Sequence, residues 1–141
     1  MIQEIMIINK AGIALFYHNF VNVNLIDDHQ SLASYFDIIC RFTKNSFKES
    51  LRMLTLDNFI FFFYTARSNY HLVLKCGNKK IKKELLEDIA ESILTAFLTE
   101  FKNSLDDFNG EISEFKPFSE IVEGLVSSKL NEYGEPMYIE Y

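Results

Sequence analysis

The chain has 141 residues and a mass of 16.5 kDa, with 48% hydrophobic and 24% charged residues. These values are typical of one globular domain, and they exclude a disordered, collagen-like or disulfide-dominated chain. A net charge of −6, from 14 Lys and Arg against 20 Asp and Glu, disfavours nucleic acid as a partner, because phosphate recognition needs a basic surface.

The first 20 residues predict a β-hairpin. A β-branched run at Ile5–Ile8 is followed by the turn Asn9–Gly12 and by a second apolar run at Ile13–Phe20. Gly12 can adopt the positive φ that such a turn requires.

A helix is predicted from His29 to Phe47, with Asp28 as its N-cap. Its core-facing residues recur at helical spacing: Leu32, Phe36, Ile39, Cys40 and Phe47. Tyr35, Ile38 and Phe42 widen the apolar arc to about 220°, roughly twice what a helix lying on one sheet requires.

Three strands are predicted at 51–56, 59–66 and 70–76, joined by short polar turns. Gly77-Asn78 is predicted to end the last strand and to cap a long helix, and a final helix runs from Pro117 to near Leu130. We therefore expect one domain over residues 1–130 and a tail over residues 131–141.

The middle strand is apolar on both faces, since Phe59, Phe61 and Phe63 alternate with Ile60, Phe62 and Tyr64. Such a strand needs cover on both sides of its sheet. The element order β-β-α-β-β-β-α-α thus predicts an α+β fold, a three-layer α/β/α sandwich around a five-stranded antiparallel sheet.

The opening hairpin, the meander over residues 59–76 and the paired C-terminal helices together resemble a longin domain, the profilin-like module of trafficking proteins. The opening and the length are similar to those of clathrin-adaptor small chains, and the plain sequence suggests an archaeal relative. The competing roadblock domain begins with a helix, whereas this chain begins with a predicted hairpin.

The resemblance implies a non-catalytic protein-interaction module. Longin domains commonly act as dimers, or as platforms or adaptor subunits for small Ras-like GTPases and vesicle-trafficking complexes. We therefore expect a homo- or heterodimer whose partner is a GTPase or another longin or roadblock domain. No coiled coil or anchor follows residue 141 in this sequence, which favours a soluble adaptor or regulatory subunit over a membrane-fusion protein.

The candidate partner site lies on the first helix. Tyr35, Ile38 and Phe42 would form one wall of a groove, and Leu51 and Met53 on the adjacent strand would form the other. Longins resembling this chain receive a partner segment in this region. The alternative is that the three helix residues pack against the sheet edge or the preceding loop.

A second candidate site is a lysine cluster at the start of the long helix: Lys75, Lys79, Lys80, Lys82 and Lys83. Lysines in a first helical turn oppose the helix dipole, so stability alone does not explain them. The cluster is either a solvated face or a contact for an acidic partner or an anionic membrane surface.

No catalytic residue, metal or cofactor is predicted. His18, His29 and His71 lie on different predicted elements, and no nucleophile, phosphate-loop or metal motif is present. The Asp27–His29 run is interpreted as a helix N-cap, and Cys40 as a small core residue. Cys76 lies at the end of a predicted strand, where its side chain can be exposed.

Several features favour the cytoplasm, with peripheral contact at the membrane face as an option. The two cysteines have no CxxC spacing, the N-terminus lacks the basic region of a leader, and the longest apolar run, 59–66, is too short to span a bilayer.

An alternative function is a small-molecule sensor of the profilin or PAS type. This function would require an internal cavity lined by residues 59–64 and containing convergent polar groups.

Overall fold

A computed structural model describes residues 2–21, 28–77 and 81–135 of the chain. The chain divides into two compact units, residues 1–79 and residues 80–141. The first unit carries the sheet and one helix, and the second unit is helical.

The described residues of the first unit form five strands and one long helix: β1 (Ile2–Ile8), β2 (Ala14–Asn19), α1 (His29–Phe47), β3 (Met53–Thr55), β4 (Phe59–Thr65) and β5 (His71–Gly77). The strands lie in the order β2-β1-β5-β4-β3, and every neighbouring pair is antiparallel. The predicted α+β class and five-stranded antiparallel sheet are thus confirmed.

The β1–β2 turn forms as the sequence predicts. The Asn9 side-chain oxygen accepts hydrogen bonds from the backbone N–H groups of Ala11 and Ile13, both at 2.9 Å. Gly12 has a φ of +81°, a conformation that costs glycine little because it lacks a Cβ.

Helix α1 has the predicted bounds, and its cap explains where it starts. The Asp28 carboxylate accepts from the Ser31 N–H at 3.0 Å, which satisfies one of the orphan donors of the first turn. Phe36 and Cys40 are buried and Leu32 and Ile39 are half-buried, as predicted for the core-facing side. Phe47 was predicted to face the core, but it is 64% exposed.

Both faces of the central strands are buried. Met6, Phe63 and Val73 belong to the cluster that packs under α1. Ile7 and Leu72, which point to the opposite face, are fully buried as well. The prediction that the sheet needs cover on both faces is therefore confirmed by these burial values.

In the second unit, residues 81–135 form three α-helices and a short 3-10 helix: α2 (Lys83–Glu100), α3 (Lys102–Asp106), the 3-10 helix (Ser113–Phe115) and α4 (Phe118–Glu132). Helices α2 and α4 were predicted; α3 and the 3-10 turn were not. The predicted cap of α2 at Gly77-Asn78 is wrong at Gly77, which ends β5, and Asn78 lies outside the described residues. The N-cap is Lys82, whose side chain makes no capping bond.

An aromatic cluster joins the helices of the second unit. Phe97, Phe115 and Phe118 are fully buried, and the Phe97 ring centroid lies 5.3 Å from that of Phe115 and 5.1 Å from that of Phe118. Each buried ring removes about 150–250 Å² from water, so these contacts dominate the packing of this unit.

Candidate functional site

Four large apolar side chains of α1 are exposed, and we call them the α1 apolar patch: Tyr35 (54% exposed), Ile38 (59%), Phe42 (60%) and Phe47 (64%). The rings of Phe42 and Phe47 meet edge to face with their centroids 6.1 Å apart. Tyr35, Ile38 and Phe42 are therefore not buried within the chain, whereas the alternative interpretation requires them to be.

Leu51 and Met53, the predicted second wall of the groove, lie on different sides of the sheet region. Leu51 is half-buried and packs against the cluster under α1. Leu54, which pairs with Phe61 of that cluster, points the same way. Met53 pairs with Phe62 and therefore points to the opposite face. The structure does not bring Met53 together with the α1 residues.

A buried polar pair, which was not predicted from the sequence, lies on the core-facing side of α1. The His71 Nε2 lies 3.1 Å from Asp37 Oδ1, and the His71 Nδ1 lies 2.9 Å from the Thr65 hydroxyl oxygen. Asp37 is 2% exposed and His71 is 4% exposed. The second carboxylate oxygen of Asp37 accepts from Arg41 at 2.6 Å.

The charge state of this pair follows from its burial. Burial holds the pKa of His71 below its ordinary value of 6.5, against the opposing effect of the Asp37 carboxylate. A neutral ring then donates from Nε2 to the carboxylate, which can only accept, and Nδ1 accepts from the Thr65 hydroxyl. Asp37 thereby fixes α1 to β5 and holds the Arg41 guanidinium in place.

Two further contacts hold α1 against the opening hairpin. The Gln30 side chain bonds both backbone groups of Ala14, at 2.9 and 3.0 Å. Gly12 approaches Asp37 so closely that a Cβ at this position would lie 3.2 Å from Asp37 Oδ2. Residues of the hairpin, α1 and β5 therefore converge around Asp37.

A cavity of about 510 Å³ opens beside the Asp37–His71 pair, and we call it the basic cavity. Four cationic side chains line it: Lys10, Arg41, Lys44 and Arg67. Its remaining lining residues are mostly small or polar, and none of them comes from residues 59–64. The cavity therefore differs from the one that the sensor alternative requires.

Lys75 does not contribute to a lysine surface at the start of α2. Lys75 is buried, its Nζ lies 3.0 Å from Glu4 Oε2 on the neighbouring strand, and it sits 4.1 Å from the centroid of the Phe59 ring. A lysine is buried in this way only when a carboxylate pairs with it. Lys82 and Lys83 are exposed, and Lys79 and Lys80 lie outside the described residues.

Both cysteines are buried and reduced. Burial raises the pKa of Cys40 to about 11 and that of Cys76 to about 12. The prediction for Cys40 is confirmed, whereas the suggested exposure of Cys76 is wrong because β5 is central in the sheet.

The fold is similar to three solved structures of different origin. Myxococcus xanthus MglB shares 15% identity over 73% of this chain and 85% of its own, with a TM-score of 0.53. The mammalian SRP receptor shares 11% identity over 94% of this chain and 98% of that chain, with a TM-score of 0.59. The Roadblock/LC7 domain from Streptomyces avermitilis shares 14% identity over 71% of this chain and 84% of its own, with a TM-score of 0.53.

The chain has the longin/roadblock type of fold. These identities are low, so the similarity shows the fold alone. This chain also aligns with the gliding protein MglB from Thermus thermophilus over 61% of that chain, but the TM-score of 0.47 is too low to establish a shared fold. No family model and no curated protein matches the sequence. Within the described ranges, no helix is both long and apolar enough to cross a bilayer.

Proposed function

We propose that this chain is a non-catalytic interaction module whose α1 apolar patch binds protein, first of all a second copy of the chain. The observation that carries the proposal is the exposure of Tyr35, Ile38, Phe42 and Phe47 on one helix. A contiguous exposed apolar surface costs solvation free energy, and in globular proteins it typically marks an interface. Tyrosine and phenylalanine are enriched at the buried centres of such interfaces.

The surroundings of the patch favour pairing between identical chains. In a two-fold symmetric dimer, each residue near the axis faces its own copy, so charges there would repel. Ser31, Ser34 and Ser46 lie beside the patch, are exposed and carry no charge. Arg41, which is exposed and follows Ile38 by three positions, has its charge paired with Asp37. A second copy is therefore an electrostatically acceptable occupant, although the chain as a whole carries a net charge of −6.

The proposed role of the dimer is to serve as a platform or regulatory subunit for a small Ras-like GTPase or a trafficking-type complex. This role comes from the resemblance to longin domains, and the longin/roadblock fold supports it. Residues Leu51 and Leu54, beside α1 on the edge of the sheet, extend the apolar surface available to such a partner.

The test uses purified Ras-like GTPases from the same organism, each loaded with GDP or a non-hydrolysable GTP analogue. The immobilised wild-type chain and an Asn103→Asp control should retain a GTPase in one nucleotide state. Phe42→Asp adds the same charge within the patch, and it should reduce retention at least about tenfold by breaking the dimer. If no GTPase binds in either nucleotide state, the GTPase role is wrong.

A further inference from the structure

We propose that the basic cavity binds a multiply charged phosphate group, carried by a soluble small molecule or by a lipid headgroup. Its volume of about 510 Å³ lies within the usual range of about 300–1,000 Å³ for small-molecule sites. The four cations reach it from three separate segments: Lys10 from the β1–β2 turn, Arg41 and Lys44 from α1, and Arg67 from the β4–β5 turn.

The cavity has the opposite charge to the rest of the chain. Four cations and a single carboxylate, Asp37, line it, which gives a net charge of +3 with His71 neutral. The whole chain has a net charge of −6. Because a concave site concentrates the field of its lining charges, this cavity attracts anions although the protein as a whole repels them.

Three of the four cations have no carboxylate partner among the described residues. Among the residues that the structure describes, no carboxylate lies within 4.0 Å of Lys10, Lys44 or Arg67. Arg41 pairs with Asp37, whose other oxygen already faces His71. Like charges held near one another repel, and a bound anion would relieve that repulsion.

The lining chemistry favours phosphate over a single carboxylate. Guanidinium groups bind phosphate oxygens in a bidentate manner, and ammonium groups add point charges. The cavity is also lined by Asn45, Ser50 and Asn69, whose side chains provide neutral hydrogen-bond donors. A net charge of +3 matches a doubly or triply charged group, whereas one carboxylate would leave most of the charge uncompensated.

The cations of this site are distinct from the α1 apolar patch, although Leu51, which lines the cavity, also belongs to the apolar surface offered to a partner beside α1. Lys10 lies outside α1, and Lys44 follows Phe42 by two positions, about 200° around the helix, so neither of these two cations lies on the side of α1 that carries Phe42 of the α1 apolar patch. Loss of phosphate binding and loss of self-association are therefore distinguishable outcomes, each sensitive to its own variants.

Isothermal titration calorimetry with inorganic pyrophosphate tests the site. Lys10→Gln with Lys44→Gln removes two cavity cations from exposed positions, and Lys102→Gln with Lys116→Gln removes two exposed cations elsewhere. The wild type and the control should bind one pyrophosphate per chain, and the cavity variant should bind at least about tenfold more weakly. No saturable binding, or equal weakening in both double variants, would overturn the proposal.

Two further measurements complete the test. Raising sodium chloride from 50 to 300 mM should weaken wild-type binding several-fold, and salt-independent binding would contradict an electrostatic site. Vesicles of phosphatidylcholine with and without phosphatidylinositol 4-phosphate identify the source of the phosphate. Binding that requires this lipid and is lost in the cavity variant assigns the site to a headgroup; pyrophosphate binding without vesicle binding assigns it to a soluble phosphate.

Discussion

The His71 ring donates a hydrogen bond of 3.1 Å to the Asp37 carboxylate, and both side chains lie buried where α1 crosses the start of β5. The contact fixes the side of α1 that carries Arg41 and Lys44. The same helix presents its α1 apolar patch on the other side of its buried residues. One polar contact therefore helps to position both candidate surfaces.

Replacing Asp37 with asparagine keeps the shape of the side chain and removes its charge. Asp37→Asn should lower the free energy of unfolding by about 1.5–3 kcal/mol, because charge-assisted bonds to His71 and Arg41 become neutral or are lost. Urea unfolding measures the change. Asp106→Asn, at an exposed position, should change the stability by less than about 0.5 kcal/mol, and equal small effects in both variants would contradict the assigned role.

The lowered pKa of His71 predicts a loss of stability in mild acid. In the unfolded chain this histidine takes up a proton near pH 6.5, whereas in the folded chain it does so only at lower pH. Below about pH 6.5 the unfolded state therefore binds more protons, and the folded state loses up to about 1.4 kcal/mol per pH unit from this group.

Urea unfolding at pH 7.5 and 5.5 measures this dependence. His71→Gln should lose less stability between the two pH values than the wild type. The explanation fails if the wild type and His71→Gln lose the same amount.

Two glycines should respond to alanine with opposite signs. Gly12→Ala should destabilise the chain by more than about 1 kcal/mol, because its φ is +81° and the new Cβ would lie 3.2 Å from Asp37 Oδ2. Gly124→Ala, within α4, meets nothing within 4 Å and should stabilise by about 0.5–1 kcal/mol. Thermal unfolding of both variants measures the pair; a neutral Gly12→Ala would rule out the proposed close approach.

The two thiols should be inert in the folded protein. The raised pKa values, about 11 for Cys40 and about 12 for Cys76, leave little thiolate at pH 8. We expect reaction with a disulfide reagent to be at least about a hundredfold slower than that of a free thiol, and both cysteines to react after unfolding in urea. Rapid modification of one thiol per native chain would contradict the burial of that cysteine.

Much of the fold could be predicted from local sequence patterns. Asp28 before an apolar repeat predicts the start of α1, and the alternation over residues 59–64 predicts a strand buried on both faces. The elements that were missed, α3 and the 3-10 turn, are only five and three residues long and are separated by Asn109-Gly110, so the apolar spacing of Leu105, Phe108, Ile112 and Phe115 does not correspond to one continuous helix.

The basic cavity was beyond prediction because its residues come from distant segments. Lys10, Lys44 and Arg67 meet only when the hairpin, α1 and the β4–β5 turn are folded together. The one local sign of the buried Asp37–His71 pair was that Arg41 follows Asp37 by four positions. Ion pairs at this spacing on a helix usually lie on its solvent-exposed face, however, so the spacing did not indicate a buried site. Lys75 was misassigned because its partner Glu4 is 71 residues away in the chain.

The exposed residues of α1 were easier to predict. Helical periodicity alone shows that Tyr35, Ile38 and Phe42 lie outside the single face of the helix that a sheet can bury. Their exposure follows from the fold, whereas their role in binding is a proposal. Met53 was placed in the same groove because sequence does not fix strand register; pairing with Phe62 turns it to the other face.

Sedimentation equilibrium over a range of concentrations tests the protein-binding patch most directly. We predict that the wild type and Asn103→Asp reach a dimer with rising concentration, while Phe42→Asp stays monomeric at concentrations at least about tenfold higher and keeps its far-ultraviolet circular dichroism. A wild type that remains monomeric throughout, or a Phe42→Asp variant that dimerises as the wild type does, would contradict the account.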